Sequence, residues 1–374
     1  MKIVFVSNFL NHHQTVLCDI LYSKVDSFYF VSGYKGKGSA IKKREDREYV
    51  IYYKDNAKKA KEVILSADAV IFGNCPDWLV ELRMKENKLS FIYSERIFKK
   101  SILQILKPEN YKKIKQRFLK YKDKNLYVLA ASAFLSYDLS HYNFPTEKVL
   151  KWGYFPHTDY LNDNKRIENS ILFTGRFFDW KHADTVIETA KLLKKDNMDF
   201  KVNIIGDGPE KESLEELVKK YNLNDCVEFL GIREHEDVIR IMNEHEIFMF
   251  TSSSQEGWGA VLNEAMASGC AVVASSVAGA TPFLVKHNQN GKVYKYGNDK
   301  NAYNAVKELL QNREEIKRFG KNANKTITDE YDGQIAIERF IEAVKEFNDT
   351  GTITPHEGGV LSQANIIKNN WFKS

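Results

Sequence analysis

Short apolar runs, rich in valine, isoleucine and aromatic residues, alternate along this chain with longer stretches of helical periodicity. That alternation predicts parallel α/β sheets. In the first part KIVFV, FYFVS, AVIFG, SFIY and LYVLA read as strands, with helical patterns over 57–66 and 101–122. KWGYFPH, at 151–157, and the polar stretch after it mark a boundary, and the pattern then restarts. SILFTG, KVNIIG, CVEFLG, EIFMFTSS and AVVASS read as strands, with KHADTVIETAKLLKK and PEKESLEELVKKY as helices between the first three. QEGWGAVLNEAMASG, at 255–269, reads as a loop followed by a helix. The expected fold class is therefore α/β, with two doubly wound domains in series, over 1–155 and 156–350. In the tail, 351–374, GTITPHEGG reads as a linker. Val360, Ala364, Ile367 and Trp371 then fall at helical spacing and predict a closing helix free to dock on either domain, including back on the N-terminal one.

Composition adds limits. A chain of 374 residues, 43% hydrophobic and 28% charged, has the size of two ordinary domains and the balance of a soluble protein. It has no apolar run long enough to cross a bilayer, and MKIVFVSNFL suits a buried first strand better than a signal peptide. Cys18, Cys75, Cys226 and Cys270 have no paired spacing, so neither a disulfide framework nor a zinc site is expected. The expected compartment is cytoplasmic.

Charge changes the picture more. Residues 1–155 hold 28 Lys and Arg against 16 Asp and Glu, and the remainder holds 27 against 34. Much of the excess lies in 99–124, with ten basic residues and two acidic ones. An anionic partner for the first half only is implied, either nucleic acid or an anionic membrane surface. The plainer alternative is a solvated basic helix.

In open α/β sheets ligands bind beyond the carboxyl ends of strands, so the loops there are where chemistry is sought. In ILFTGRFFDWKHADTV a strand ends at Gly175, and Arg176 and Lys181 flank a helix start. Two fixed cations beside a helix N-terminus suit a diphosphate. In NIIGDGP, the turn Gly206-Asp207-Gly208-Pro209 opens a helix; turn chemistry explains it, and its functional content is its place at a strand end. Ile232, in EFLGIREHEDV, follows another strand, where backbone can read a nucleobase edge. In the fourth loop Glu256 opens the turn Gly257-Trp258-Gly259, a helix starts near Ala260, and Glu264 follows eight positions after Glu256. Carboxylates accept hydrogen bonds from vicinal hydroxyls such as those of ribose or hexose. The plainer reading has Glu256 complementing the helix dipole and Glu264 facing solvent.

The ordered set GRFFDWKH, IIGDGP, EFLG, EGWGAVLNEAMASGCAVVAS, Gly279 and NGKVY resembles the nucleotide-sugar domain of the retaining family 4 glycosyltransferases. That family has the GT-B architecture, two doubly wound Rossmann-like domains facing a central cleft. The resemblance is strong over about 170–295, weaker over 1–155 and slight after 300. It implies catalytic roles for Arg176 and Lys181 at the donor diphosphate and for Glu256 at the donor hexose, with Glu264 on the nucleotide ribose. Gly175, Gly206, Gly208, Ile232, Gly257, Trp258, Gly259 and Ala260 would line the donor. Ser132 matches a serine often found at its strand end. Many relatives have a glycine-rich turn after the first strand, where this chain has SNFLNHHQ, and a histidine where it has Tyr93-Ser94-Glu95-Arg96. Asn11, His12, His13, Gln14 and Glu95 are thus the acceptor-side candidates. His12 or His13 lines the acceptor cleft or merely caps a helix; Glu95 orients an acceptor hydroxyl or pairs with Arg96, the pairing being preferred.

The resemblance implies a retaining hexosyltransferase with a nucleotide-sugar donor, UDP-linked in preference to GDP-linked. Its acceptor would be a glycan or a polyprenyl-diphosphate-linked sugar in cell-surface polysaccharide synthesis. Without a D-x-D carboxylate pair no metal is expected, and no cofactor, the nucleotide sugar being a substrate. The basic N-terminal domain would meet an anionic membrane surface at the inner face of the cell membrane. Nucleic acid is not expected, because the aromatic–basic motifs of RNA modules are missing. Rival readings are a catalytically silent glycosyltransferase-like partner subunit and a GT-B sugar-nucleotide epimerase.

Overall fold

A computed structural model describes residues 1–33, 47–158 and 166–373. The chain divides into two units, Met1–Pro156 with Tyr331–Ile366, and His157–Glu330 with Ile367–Ser374.

The first unit is built on seven strands: β1 (Lys2–Ser7), β2 (Ser27–Ser32), β3 (Val50–Tyr52), β4 (Ala69–Phe72), β5 (Ser90–Ser94), β6 (Leu126–Ala130) and β7 (Val149–Lys151). They pair in the order β3-β2-β1-β4-β5-β6-β7, all parallel. The second unit has six: β8 (Ser170–Thr174), β9 (Lys201–Ile205), β10 (Val227–Gly231), β11 (Ile247–Phe250), β12 (Ala271–Ser275) and β13 (Gly291–Tyr294). Their order is β10-β9-β8-β11-β12-β13, again parallel. Helices cover parallel sheets on both faces, which is why β4 and β6 are unbroken apolar runs, buried throughout. Both sheets are doubly wound. The strand order reverses between β1 and β4 in one and between β8 and β11 in the other, and such switch points open crevices at the carboxyl ends.

The expected strands all form, and the sheets gain the short β3, β7 and β13. The single helical pattern over 101–122 is broken into a 3-10 segment Ile102–Leu106, an α-helix Pro108–Arg117 and a 3-10 turn Leu119–Tyr121. Pro108 explains the first break: it disfavours helical backbone at Lys107, which is extended (φ −80°, ψ 119°), and begins the next helix where its missing N–H costs nothing.

The C-terminal region departs from expectation twice. The helix Gly333–Thr350, assigned by sequence to the second domain, lies in the first unit. Phe340 packs its ring 5.0 Å from that of Phe91, and Gly333 lies against Val16 and Ile20 of the helix His12–Lys24. The closing helix over 360–371 does not form. Strand β7 is an edge, and the tail satisfies its backbone: Lys151 N donates to Ser362 O at 2.8 Å, Leu361 N to Lys151 O at 2.8 Å, and Ala364 N to Val149 O at 2.9 Å. Val360 and Ala364 are buried, as their apolar character required, but on irregular chain turned at Leu361 (φ 61°). Beyond Ile366 the tail joins the second unit, where Trp371 Nε1 donates to Ser276 O at 2.8 Å.

Candidate functional site

In the second unit the loops following β8, β9, β10 and β11 hold all the expected donor residues. These four strands are consecutive in the sheet order, so the loops are neighbours at one sheet edge. Backbone bonds join the first three: Gly175 N donates to Ile205 O at 3.0 Å, Phe177 N to Asp207 O at 2.8 Å, and Gly206 N to Gly231 O at 3.0 Å. A Cβ on Gly206 would collide with the Gly175 carbonyl oxygen, so glycine is what permits this approach.

After β8 the chain passes Arg176, whose guanidinium lies over the Phe178 ring, 4.9 Å from its centroid. A 3-10 turn, Asp179–Lys181, ends at His182, which is left-handed (φ 51°) and turns the chain into the helix Ala183–Lys195. His182 Nε2 and Tyr296 Oη lie 2.7 Å apart. The loop after β11 holds the turn from the other side: Ser253 N donates to Trp180 O at 2.8 Å and Thr251 Oγ1 to Lys181 O at 2.7 Å. With its backbone so fixed, Lys181 directs its ammonium to the Glu256 carboxylate, and Ser252 Oγ donates to the same oxygen at 3.1 Å. Glu256 is therefore an ion-pair partner across the switch point rather than only a complement to a helix dipole.

The helix Ala260–Ala267 begins at Gly259, whose φ of 96° and whose contact with the Phe250 ring leave no room for a Cβ. The amides of Ala260 and Val261 open this helix and have no acceptor within it, which suits an anion. Trp258 does not face outward: it is fully buried, its Nε1 donating to Asn263 Oδ1 at 2.8 Å, so its part is to anchor the turn. Glu264 has a side chain only 13% exposed, and burial pushes its carboxyl up to about 7. His235 Nδ1 stands 4.0 Å from it, but burial lowers the His235 pKa, so at neutral pH the imidazole supplies no countercharge. A carboxyl so placed gains from hydroxyl donors. Ile232 is 71% exposed, an apolar side chain left in solvent beside these loops.

In the first unit Asn11, Gln14 and Glu95 come together around a cavity of about 530 Å³. It lies beyond the carboxyl ends of β1, β4 and β5, over the switch point. Asn11 Nδ2 donates to Gln14 Oε1 at 3.0 Å. Glu95 accepts from Tyr154 Oη at 2.9 Å and pairs with Lys99. The expected Glu95–Arg96 pair is absent: just past the end of β5 these successive residues turn different ways, and Arg96 goes inward to Asp138 at 3.2 Å. That buried carboxylate also accepts from the Ile97 and Phe98 amides, at 2.8 and 3.0 Å. The side chains of His12 and His13 lie outside the described residues. Ser132 is buried, its Oγ facing the Phe134 amide, and does not line the cavity.

Sequence reasoning missed Asn8, Lys113, Arg117 and Tyr154, which also line this cavity. Arg117 donates to Gly73 O and, at 3.1 Å, to Cys75 O, which holds the loop after β4 in place. The available signals were the basic run, read only as bulk charge, and the boundary segment KWGYFPH, read only as a boundary.

Comparison with known proteins bears on the second unit above all. Residues 162–326 match the family described as Glycosyl transferases group 1. The amylovoran biosynthesis glycosyltransferase AmsK of Erwinia amylovora is 28% identical over 180 residues, 47% of this chain and 44% of that protein. An uncharacterized glycosyltransferase of Haemophilus influenzae is 29% identical over 185 residues, 49% of this chain and 50% of the other. The chain spans about half the length of the curated relatives it matches. Among solved structures, Anabaena Alr3699/HepE in complex with UDP aligns with a TM-score of 0.71 over 92% of this chain and all of that one, at 17% identity. The fold is GT-B, as in that solved structure, and residues 162–326 of the second unit are similar to the glycosyltransferase group 1 family.

Proposed function

We propose that the protein is a retaining hexosyltransferase that takes its sugar from a nucleotide donor, a UDP-sugar in preference to a GDP-sugar. Its acceptor is a glycan or a polyprenyl-diphosphate-linked sugar in cell-surface polysaccharide synthesis. The observation that carries this reading is the Lys181–Glu256 pair, at the carboxyl ends of the two strands that flank the switch point, with Arg176 in the same loop as Lys181. UDP is preferred because the Anabaena protein of the same fold is solved with it.

In this reading the donor diphosphate lies against Arg176, Lys181 and the amides that open the helix Ala260–Ala267. The ribose hydroxyls donate to Glu264, and the hexose hydroxyls to Glu256. The C1–O bond to phosphate breaks as the acceptor oxygen bonds to C1 on the same face, and the acceptor proton passes to the departing phosphate oxygen. Charge grows on that oxygen in the transition state, and fixed cations aimed at it act without reorganising. These two cations supply the neutralisation that a divalent ion would otherwise provide, so the reaction is assigned no metal and no cofactor. The acceptor enters the amide-rich cavity of the first unit, with Glu95 orienting a hydroxyl. In this reading the protein also works at an anionic surface at the inner face of the cell membrane, which the excess of cations in residues 1–155 supports. Hydrolysis of UDP-hexoses in the absence of acceptor tests the proposal. The wild type should release UDP, and the Arg176→Ala, Lys181→Ala double variant should not.

A further inference from the structure

Leu103 and Leu106 are 68% and 75% exposed. Both belong to the 3-10 segment Ile102–Leu106, where residues three apart eclipse one another, so the two leucines form one apolar ridge. The ridge is held rather than loose. Ser101 Oγ caps the segment by accepting from the Leu103 amide at 3.1 Å, and Asn110 Nδ2 donates to Gln104 O at 2.8 Å, tying it to the helix Pro108–Arg117. Tyr111 on that helix is 46% exposed, whereas Ile114, one turn further on, is buried and anchors the helix. Exposed cations flank the ridge along the chain, Lys100, Lys107, Lys112, Lys113 and Lys115, with Glu109 as the exposed acid of the same helix.

Lysines alone make a solvated surface, and a single exposed leucine needs no explanation. An ordered apolar ridge ringed by cations is the arrangement of an interfacial segment, in which apolar side chains enter the headgroup region while ammonium groups meet lipid phosphates. We propose that Leu103, Leu106 and Tyr111 insert into an anionic lipid bilayer and seat the first unit on it. The charge complementarity selects this occupant over a neutral bilayer or a second copy of this chain, whose own lysines would repel. The helix Pro108–Arg117 also gives Lys113, Ile114 and Arg117 to the wall of the 530 Å³ cavity. One helix therefore serves both the bilayer and the cavity, and a lipid-held acceptor would present its polar head there. This last point rests on the glycosyltransfer reading; the docking surface does not.

The test is co-sedimentation of the full chain with vesicles of phosphatidylcholine, with and without phosphatidylglycerol, beside UDP-hexose hydrolysis in solution. Binding is expected only with phosphatidylglycerol. Leu103→Ala with Leu106→Ala should lower partitioning by about tenfold or more, and Lys112→Gln or Lys115→Gln by about fivefold each at low salt. All these side chains are exposed, so hydrolysis and Tm should match the wild type. Absence of vesicle binding overturns the proposal, as does equal binding to neutral vesicles or binding unaffected by the leucine changes. Leucine substitutions that instead abolish a concentration-dependent dimer assign the ridge to a second copy, which also overturns it. Vesicle binding without any donor hydrolysis would uphold the docking surface while removing the enzymatic reading.

Discussion

The Lys181 ammonium meets the Glu256 carboxylate from 75 residues away in the chain, each side chain only 13% exposed. The pair spans the loops after β8 and β11, which flank the switch point of the second sheet. The two side chains hold each other in place while remaining partly open to solvent. In the proposed reading, donor binding uses Lys181 against phosphate and Glu256 against hydroxyls without moving either loop.

Substituting either partner should damage turnover more than folding. Lys181→Met removes a cation from the leaving group, and a fall of about 10²–10³ in kcat is expected. Glu256→Gln keeps the shape but loses the charge that orients Lys181, and should lower kcat and weaken donor binding together. Steady-state kinetics with a UDP-hexose, beside unfolding free energies from urea titration, would show this pattern.

Glu264 should link stability and nucleotide binding to pH. Its carboxyl is raised to about 7 in the folded protein, above the usual carboxylate value near 4.5. Between those values the folded state holds the extra proton, so stability falls as pH rises through this window, by up to about 3 kcal/mol. Glu264→Gln should flatten the slope and be the more stable form at pH about 8. Ribose hydroxyls donate best to the ionised carboxylate, so UDP should bind the wild type more tightly as pH rises through about 7. Titration calorimetry at several pH values checks the sign, and the Gln variant should show no such trend.

Asp138 is expected to be structural. It is buried with Arg96 and takes two backbone amides as well as the guanidinium, although burial raises its pKa. Asp138→Ala would strand the Arg96 charge and cost about 3–5 kcal/mol. Urea unfolding should register that loss, with hydrolysis of the donor intact in whatever protein remains folded.

Glu95 and Tyr154 should matter for the acceptor alone. Both line the first unit's cavity, and the Tyr154 hydroxyl holds one carboxylate oxygen at 2.9 Å. Tyr154→Phe leaves Glu95 held by Lys99 alone among the described residues and should raise KM for acceptor several-fold. Glu95→Gln should lower transfer by about 10²-fold if Glu95 orients the attacking hydroxyl. Acceptor-free hydrolysis of the donor should be unchanged in both variants.

The donor half of this account was legible in the sequence because its signals are local. A strand, a glycine and a helix start fix where Arg176, Gly206 and Gly259 lie, and the order of four such units fixes which loops are neighbours. Partners were less legible. That Glu256 meets Lys181, or that Arg96 turns to Asp138 rather than to its neighbour Glu95, depends on which strands lie side by side and which way their ends face. The closing helix was misread because apolar spacing records burial and not backbone shape. Val360 and Ala364 are buried as that spacing demanded, but the need of edge strand β7 for backbone partners decided the conformation. Arg117 and Tyr154 were hidden for a related reason: each is one unremarkable residue until the sheet brings its loop to the cavity.

The most direct measurement is thermal denaturation in the presence of UDP-, GDP-, ADP- and TDP-sugars. A ligand that binds only the folded state raises Tm, by about 5 °C or more at a hundredfold excess over Kd. The account predicts such a shift for a UDP-sugar first among the four, and its loss in the Arg176→Ala, Lys181→Ala double variant. A protein whose Tm no nucleotide sugar moves would contradict the account.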